Sequence, residues 1–187
     1  MLERASLTGQ LLIAMPALAD PNFSHSVVLV CKHDANGAVG LVINRPSDFT
    51  LGQVLEQMEI ACDDPQLHGN PVLIGGPVGT EQGFVLHDDG SAWAASLAIG
   101  RGLVLTSSRD VLEAMARGQG PERALFALGY AGWGEGQLEA ELLANSWLTV
   151  DADAELLYLL PHPRRWRAAA ARLGVDPDRL ADYSGRA

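Results

Sequence analysis

Cys31 and His33 stand two apart in the β-branched run Val27-Val-Leu-Val-Cys-Lys-His33, and side chains two apart on a strand share a face. With His25 on the same parity if the strand reaches back, a thiolate and two imidazoles would offer three ligands to a borderline metal. The spacing fits no common zinc pattern, however, and cysteine is among the most buried residue types. The expectation is therefore a buried thiol beside a strand-end histidine, with no metal and no cofactor. His87 and Asp88 have the types of a base and its orienter, but neighbours on a strand point to opposite faces, so Asp88-Asp-Gly90 reads as a turn.

Glu135 with Glu139, and Gln137 with Glu141, fall four apart and share a face if this stretch is helical. Carboxylates near a helix start complement its dipole, which is the favoured use here; the Glu-x-x-His partners of a di-iron site are missing. Asp151, Asp153 and Glu155 open like a calcium loop, but Leu156 stands where that loop requires glycine. Gly75-Gly-Pro-Val-Gly79 and the glycines of 129–136 could present backbone N–H groups to an anion, although tight turns and close packing account for them more simply. Asn44-Arg45-Pro46 is more suggestive, because it sets an amide and a guanidinium at the end of a buried strand, where ligand sites are common; pairing with an acidic loop is the other use of that arginine. The chain has no GxSxG elbow, no phosphate loop ending in GK[ST], no HExxH and no CxxC pair.

These residues need elements to hold them. Val27–His33 and Ala38–Asn44 read as strands joined at Asp34-Ala-Asn-Gly37, where Asn-Gly would supply the positive φ angles of a hairpin, and Pro46 ends the second strand. Both strands are apolar on both faces, so the sheet should be covered on two sides. Thr50-Leu-Gly-Gln53 is a capping box opening a helix to about Glu59, and 61–71 has a loop composition. Strands follow at 72–74, 84–87 and 103–106, then a helix capped by Ser107 or Ser108 and closed by Gly118. Residues 123–130 fit helix or strand and are read as a strand because they feed the glycine corner, 137–144 as a helix and 147–150 as a strand, with helices near 154–160, 163–173 and 177–182. This alternation gives an α+β fold, with α/β as the alternative, and 187 residues suit one domain spanning 1–187.

The net charge of −10 is unevenly spread: seven basic and seventeen acidic residues fall within 1–150, and six of each within 151–187. A surface of that sign repels phosphate backbones, so direct, specific DNA binding is not expected. The exception is the cluster Arg164, Arg165, Arg167 and Arg172 on a predicted helix, read as a solvated face near acidic neighbours. Two cysteines without a paired motif suit a reducing cytoplasm. Leu11–Met15 with Ala17-Leu-Ala19 imitates a secretory signal, but Glu3 beside Arg4 leaves no net positive start, and Pro16 interrupts the run. No run is long enough to cross a membrane as a helix.

Gly129-Tyr-Ala-Gly-Trp-Gly-Glu-Gly-Gln137, continuing into Leu138-Glu-Ala-Glu-Leu142 and Asn145-Ser-Trp147, describes a backbone that turns tightly, packs against a neighbour and enters a helix. Together with Leu12-Ile-Ala-Met-Pro16, Asp20-Pro-Asn-Phe23, Gly40-Leu-Val-Ile-Asn-Arg-Pro46, Gly75-Gly-Pro-Val78 and Gly83-Phe-Val-Leu-His87, it closely resembles the YqgE/AlgH family of bacterial proteins. The resemblance implies a mixed sheet, partly closed as a barrel and flanked by helices, with the Leu11–Met15 segment as a strand of the mature fold. Some family members are described as transcriptional regulators, and no shared biochemical activity comes with the family. The reading is thus a cytoplasmic, non-catalytic binding or regulatory protein. It would engage a protein partner or small ligand through a groove near Asn44, Arg45, Gly75, Gly76, Trp133 and Gln137. The alternatives are a small hydrolase with dispersed catalytic residues and a direct nucleic-acid-binding regulator.

Overall fold

The computed structural model describes residues 5–88, 90 and 93–183; Glu3, Arg4 and Asp89, used above, lie outside the described residues. It is an α+β fold, a strongly curled half-barrel sheet flanked by helices. The strands are β1 (Gln10–Ala14), β2 (Val27–Asp34), β3 (Gly37–Val42), β4 (Pro46–Thr50), β5 (Pro71–Ile74), β6 (Val78–Asp88), β7 (Ser96–Gly100), β8 (Leu103–Thr106), β9 (Ala124–Trp133) and β10 (Trp147–Asp151). The helices are α1 (Leu51–Gln57), α2 (Pro65–His68), α3 (Arg109–Ala116), α4 (Gln137–Leu143), α5 (His162–Arg172) and α6 (Pro177–Tyr183), with a π-helical turn at Glu155–Leu159.

The strands run in the order β10-β1-β2-β3-β9-β6-β8-β7, with β4 and β5 paired beside β9. β9 is the hub. Its first half lies between antiparallel β6 and parallel β5, and its last three residues pair with β3. Only a strand apolar on both faces can occupy such a position. Phe126 enters the core under α1 and α3, Ala127 faces the core under α5, and Ala131 and Trp133 pack under α4.

The two-sided cover expected for β2 and β3 is present. Leu29, Cys31, Leu41 and Ile43 pack with Trp166 and Ala169 of α5, whereas Val28, Val30 and Val42 pack with Trp133, Leu138 and Trp147. The hairpin between them differs from expectation. Of the loop residues only Gly37 has positive φ, at 136°, and the turn is held by the Asp34 carboxylate accepting from the Asn36 N–H at 2.8 Å. A β-bulge between Val30 and Lys32 leaves Cys31 without a partner on β3.

The capping box at Thr50 forms with both reciprocal bonds, but α1 stops at Gln57. Pro46 does not close a strand; it opens β4, whose pairing with β5 begins at Leu73. The 61–71 segment contains the one-turn α2, capped by Asp64, and β7 arises from a stretch with no strand signal strong enough to read. Ser108 stands at the start of α3 without accepting from a helix backbone N–H; its hydroxyl donates to the Asp110 carboxylate at 2.5 Å instead, and Gly118 follows at φ 73°. The 154–160 helix is the wider π-turn.

Candidate functional site

Asn44 and Arg45 follow β3 and are tied to the chain segment before β2. Asn44 Oδ1 accepts from the Val27 N–H and its Nδ2 donates to the His25 carbonyl, both at 2.9 Å. The Arg45 guanidinium donates to the carbonyls of Pro21, Asn22 and Ser24 rather than to an acidic side chain. These bonds pin a loop in which His25 takes φ 58° and its ring lies 4.4 Å from that of Trp166. A shallow cleft of about 360 Å³ remains among Asn44, Arg45, His25 and Trp166.

The other residues expected at this groove lie elsewhere. Trp133 is buried, and its indole N–H donates to Glu141 Oε2 at 2.9 Å; the Trp147 indole donates to the same oxygen at 2.8 Å. Gln137 Nε2 reaches Glu141 Oε1 at 3.1 Å, and its own Oε1 accepts from the Gly134 N–H. The acid and amide of α4 therefore fasten the helix to two tryptophans of the sheet. Gly75 and Gly76 are in the sheet interior: a Cβ on Gly75 would lie 2.3 Å from the Gly129 carbonyl oxygen, and one on Gly76 2.1 Å from the Tyr130 carbonyl carbon. They permit close backbone approach, and the six residues form no common groove.

The glycine corner is architectural in the manner its composition suggests. Gly129 and Gly136 have φ of 77° and 71°, and Trp133 is 6% exposed. Gly129 and Gly132 belong to β9 itself, so the change of direction is confined to Gly134–Gly136.

Cys31 and His33 do not share a face. Cys31 continues the alternation of Val27 and Leu29 into the core beside Leu41, where burial pushes its thiol up to about 12, and it is His33, beyond the bulge, whose direction changes. His33 points to α4 on the other side: Nδ1 accepts from the Leu7 N–H at 3.0 Å, which leaves Nε2 to donate to Glu139 Oε1 at 2.9 Å. Among the described residues, no group of three or more His, Cys, Asp or Glu side chains is placed to hold a metal.

The arginine cluster of α5 is divided as well. Arg167 pairs with Asp178, Arg172 with Asp153 and Glu155, and Arg165 is buried, leaving Arg164 exposed. Asp153 and Glu155 thus serve as arginine partners.

Two concave regions were not legible in the sequence. The first, about 620 Å³, lies between α1, α3 and β6, with Phe49, Val54, Met58, Leu112 and Leu128 as its apolar wall and Thr106, Ser107 and Ser108 along one side. Beneath it the buried His87 donates from Nδ1 to the Asp88 carbonyl at 2.8 Å and approaches Thr106 Oγ1 with Nε2 at 2.7 Å; Ser96 Oγ lies 2.8 Å from the same oxygen. The second region lies around Tyr158, with Arg165 and His162 lining a smaller cavity that adjoins it. One signal for Arg165 was present: it stands four residues before Ala169, on the face that also buries Trp166 and Ala170.

Known proteins resemble this chain along nearly all of its length. A UPF0301 protein of Stenotrophomonas maltophilia is 59% identical over 180 residues, 96% of each chain. One of Xanthomonas campestris is 60% identical over 181 residues, covering 97% of this chain and 96% of the relative. The solution structure of the AlgH protein from Pseudomonas aeruginosa matches with a TM-score of 0.80 at 47% identity, covering 97% of both chains. A crystal structure of a Corynebacterium diphtheriae protein shares the fold at 20% identity, with a TM-score of 0.69 over 90% of this chain and 87% of the other. Residues 11–178 match the AlgH-like family model, and with relatives this similar over this length the chain belongs to the AlgH-like family.

Proposed function

We propose that this protein is a cytoplasmic, non-catalytic binding or regulatory protein whose capture surface is the apolar cleft between α1, α3 and β6. The observation that carries this is the cleft itself: about 620 Å³, within the range of ligand pockets, with Phe49 at its edge 53% exposed. Ile74 shares the face of Val72 and Leu128 and is 40% exposed, so apolar surface continues along the sheet beyond the cleft. Exposed apolar surface of this kind marks a place where a partner or ligand removes it from water. Asn44 and Arg45 support the reading less directly, by fixing the loop at 20–25 beside a second, shallower cleft. A regulatory role would be exerted through such a partner, since the chain carries −10 and most of its late arginines are already paired or buried.

Phe49→Ser tests the site without touching the core. The neutral apolar dye Nile red should bind the wild-type protein saturably and bind the variant about tenfold more weakly, with thermal midpoints unchanged. Proteins or metabolites retained from the native cell should be lost in parallel. Equal dye binding and equal retention by the variant would move the capture surface elsewhere.

A hydrolase reading draws on one observation, the chain of contacts from exposed Ser96 through Thr106 to His87. Thr106 is fully buried and cannot be the attacking group, so Ser96 would have to be the nucleophile. Labelling of Ser96 by a fluorophosphonate, lost in His87→Gln, would support it; an unlabelled Ser96 rejects it.

A further inference from the structure

Arg165 is a cation where the fold would be expected to bury an apolar side chain. It is 6% exposed on the inward face of α5, donating from Nε to the Leu160 carbonyl at 3.1 Å and from Nη1 to the Ile43 carbonyl. No carboxylate among the described residues forms an ion pair with it. Carbonyl oxygens satisfy its hydrogen bonds but leave its charge uncompensated, and a buried charge is costly unless it is both bonded and paired. Burial lowers its tendency to hold a proton, yet a guanidinium stays charged in a protein.

A cavity of about 170 Å³ lies against Arg165, bounded also by Tyr158, His162, Asn70 and Phe126. None of its lining residues is acidic, in a chain with ten more acidic than basic residues. The Tyr158 hydroxyl is buried and has no hydrogen-bond partner among the described residues. Its phenol is pushed up by burial and then by Asp88, so it stays protonated and able to donate at neutral pH. His162 is held below the usual imidazole value by burial and then by Arg165, which leaves a neutral ring with one N–H to give. Tyr158 sits on the π-turn, a widened backbone geometry found frequently at functional sites. The cavity shares Asn70, Phe126 and Tyr158 with an adjoining cleft of about 500 Å³, where the Arg123 guanidinium lies 5.4 Å from the centre of the Tyr158 ring.

Two residues with such anomalies thus line one cavity: a buried cation without an anion and a tyrosine whose buried hydroxyl lacks an acceptor. A water molecule would satisfy the second and leave the first. We propose that the cavity binds the oxyanion head of a small organic molecule, a phosphate or a carboxylate, with Arg165 as its counter-charge and Tyr158 and His162 donating to its oxygens. The remainder of the molecule occupies the adjoining cleft. This site is separate from the apolar cleft under α1 and α3 and stands or falls independently of it.

The test uses the full-length protein, titrated with inorganic phosphate and separately with acetate against chloride at equal ionic strength, following the thermal midpoint and the imidazole NMR signals. At least one oxyanion should raise the midpoint saturably beyond chloride and shift the His162 resonances. Tyr158→Phe removes an unpartnered buried hydroxyl, so the unliganded variant should be as stable as wild type or more so, while its oxyanion affinity falls about tenfold. His162→Ala should weaken binding as well, and Arg165→Met should abolish it. A response to phosphate alone assigns a phosphoryl head, and a response to acetate alone a carboxylate head. If neither exceeds chloride, or if both Tyr158→Phe and His162→Ala bind like wild type, the proposal is wrong.

Discussion

At the scale of single residues, Glu141 ties α4 to two strands of the sheet. One of its oxygens accepts both the Trp133 and the Trp147 indole N–H groups, and the other accepts from Gln137. Glu141→Ala would leave two largely buried donors without an acceptor, a cost of about 2–4 kcal/mol, whereas Glu141→Gln keeps a carbonyl oxygen and should lose about half as much. Urea unfolding followed by tryptophan fluorescence reads both variants, and an unaffected Glu141→Ala would contradict this role. Cys31 makes a different prediction. Its thiol is buried and pushed up to about 12, so at neutral pH a maleimide should label the partly exposed Cys62 and leave Cys31 untouched until the chain is unfolded. The sign of the linkage follows from the same shift. The folded state keeps the proton that the unfolded chain releases near 9, so stability is complete below that pH and falls as pH rises toward 12. Cys31→Val should show a shallower alkaline slope in pH-dependent unfolding, the remainder belonging to groups such as Tyr158 whose phenol is also pushed up by burial.

Among the elements, glycines that look alike in the sequence serve different ends. A Cβ on Gly76, in the link between β5 and β6, would meet the Tyr130 backbone at 2.1 Å, and the link is held there by the pairing of both strands with β9. Gly136 adopts φ 71° with open space around it. Gly76→Ala should therefore cost about 3 kcal/mol or more through overpacking, and Gly136→Ala only about 1–2 kcal/mol through its left-handed backbone. Chemical denaturation distinguishes the two, and equal losses would show that local conformation rather than backbone approach sets the cost at Gly76. The bulge in β2 likewise governs side-chain direction, sending Cys31 and His33 to opposite cores where simple alternation would have placed them together.

For the whole molecule, charge and its pairing set the expectation for nucleic acid. Arg167 and Arg172 are engaged by Asp178, Asp153 and Glu155, and Arg165 is buried, so the helix that looked most basic presents little free positive charge. The isolated protein should show no sequence-specific binding to duplex DNA near physiological salt. Titration of labelled specific and scrambled duplexes checks this; submicromolar, sequence-selective binding lost on replacing Arg164, Arg165 and Arg167 would overturn it. No helix among the described residues is long and apolar enough to cross a membrane.

Sequence alone determined the features whose physics is local. The Thr50 capping box needs only residues three apart, the apolar faces of β2 and β3 follow from composition along each strand, and the glycine corner announces left-handed backbone that glycine adopts most readily. It also carried the family, because the glycines, tryptophans and acids of 129–147 form one structural unit within the same short segment. Tertiary structure decided everything that depends on meeting partners far along the chain. Arg45 found carbonyls about twenty residues away, Arg165 found the Ile43 carbonyl more than a hundred residues back, and Tyr158 came to share a cavity with Asn70 and Phe126. β4 and β7 had too little intrinsic signal to be read as strands and exist because β5 and β8 offer them an edge. Hydrophobic pattern and turn chemistry are written residue by residue, whereas a pocket is the space left between elements and is fixed only when the sheet curls and the helices settle on it.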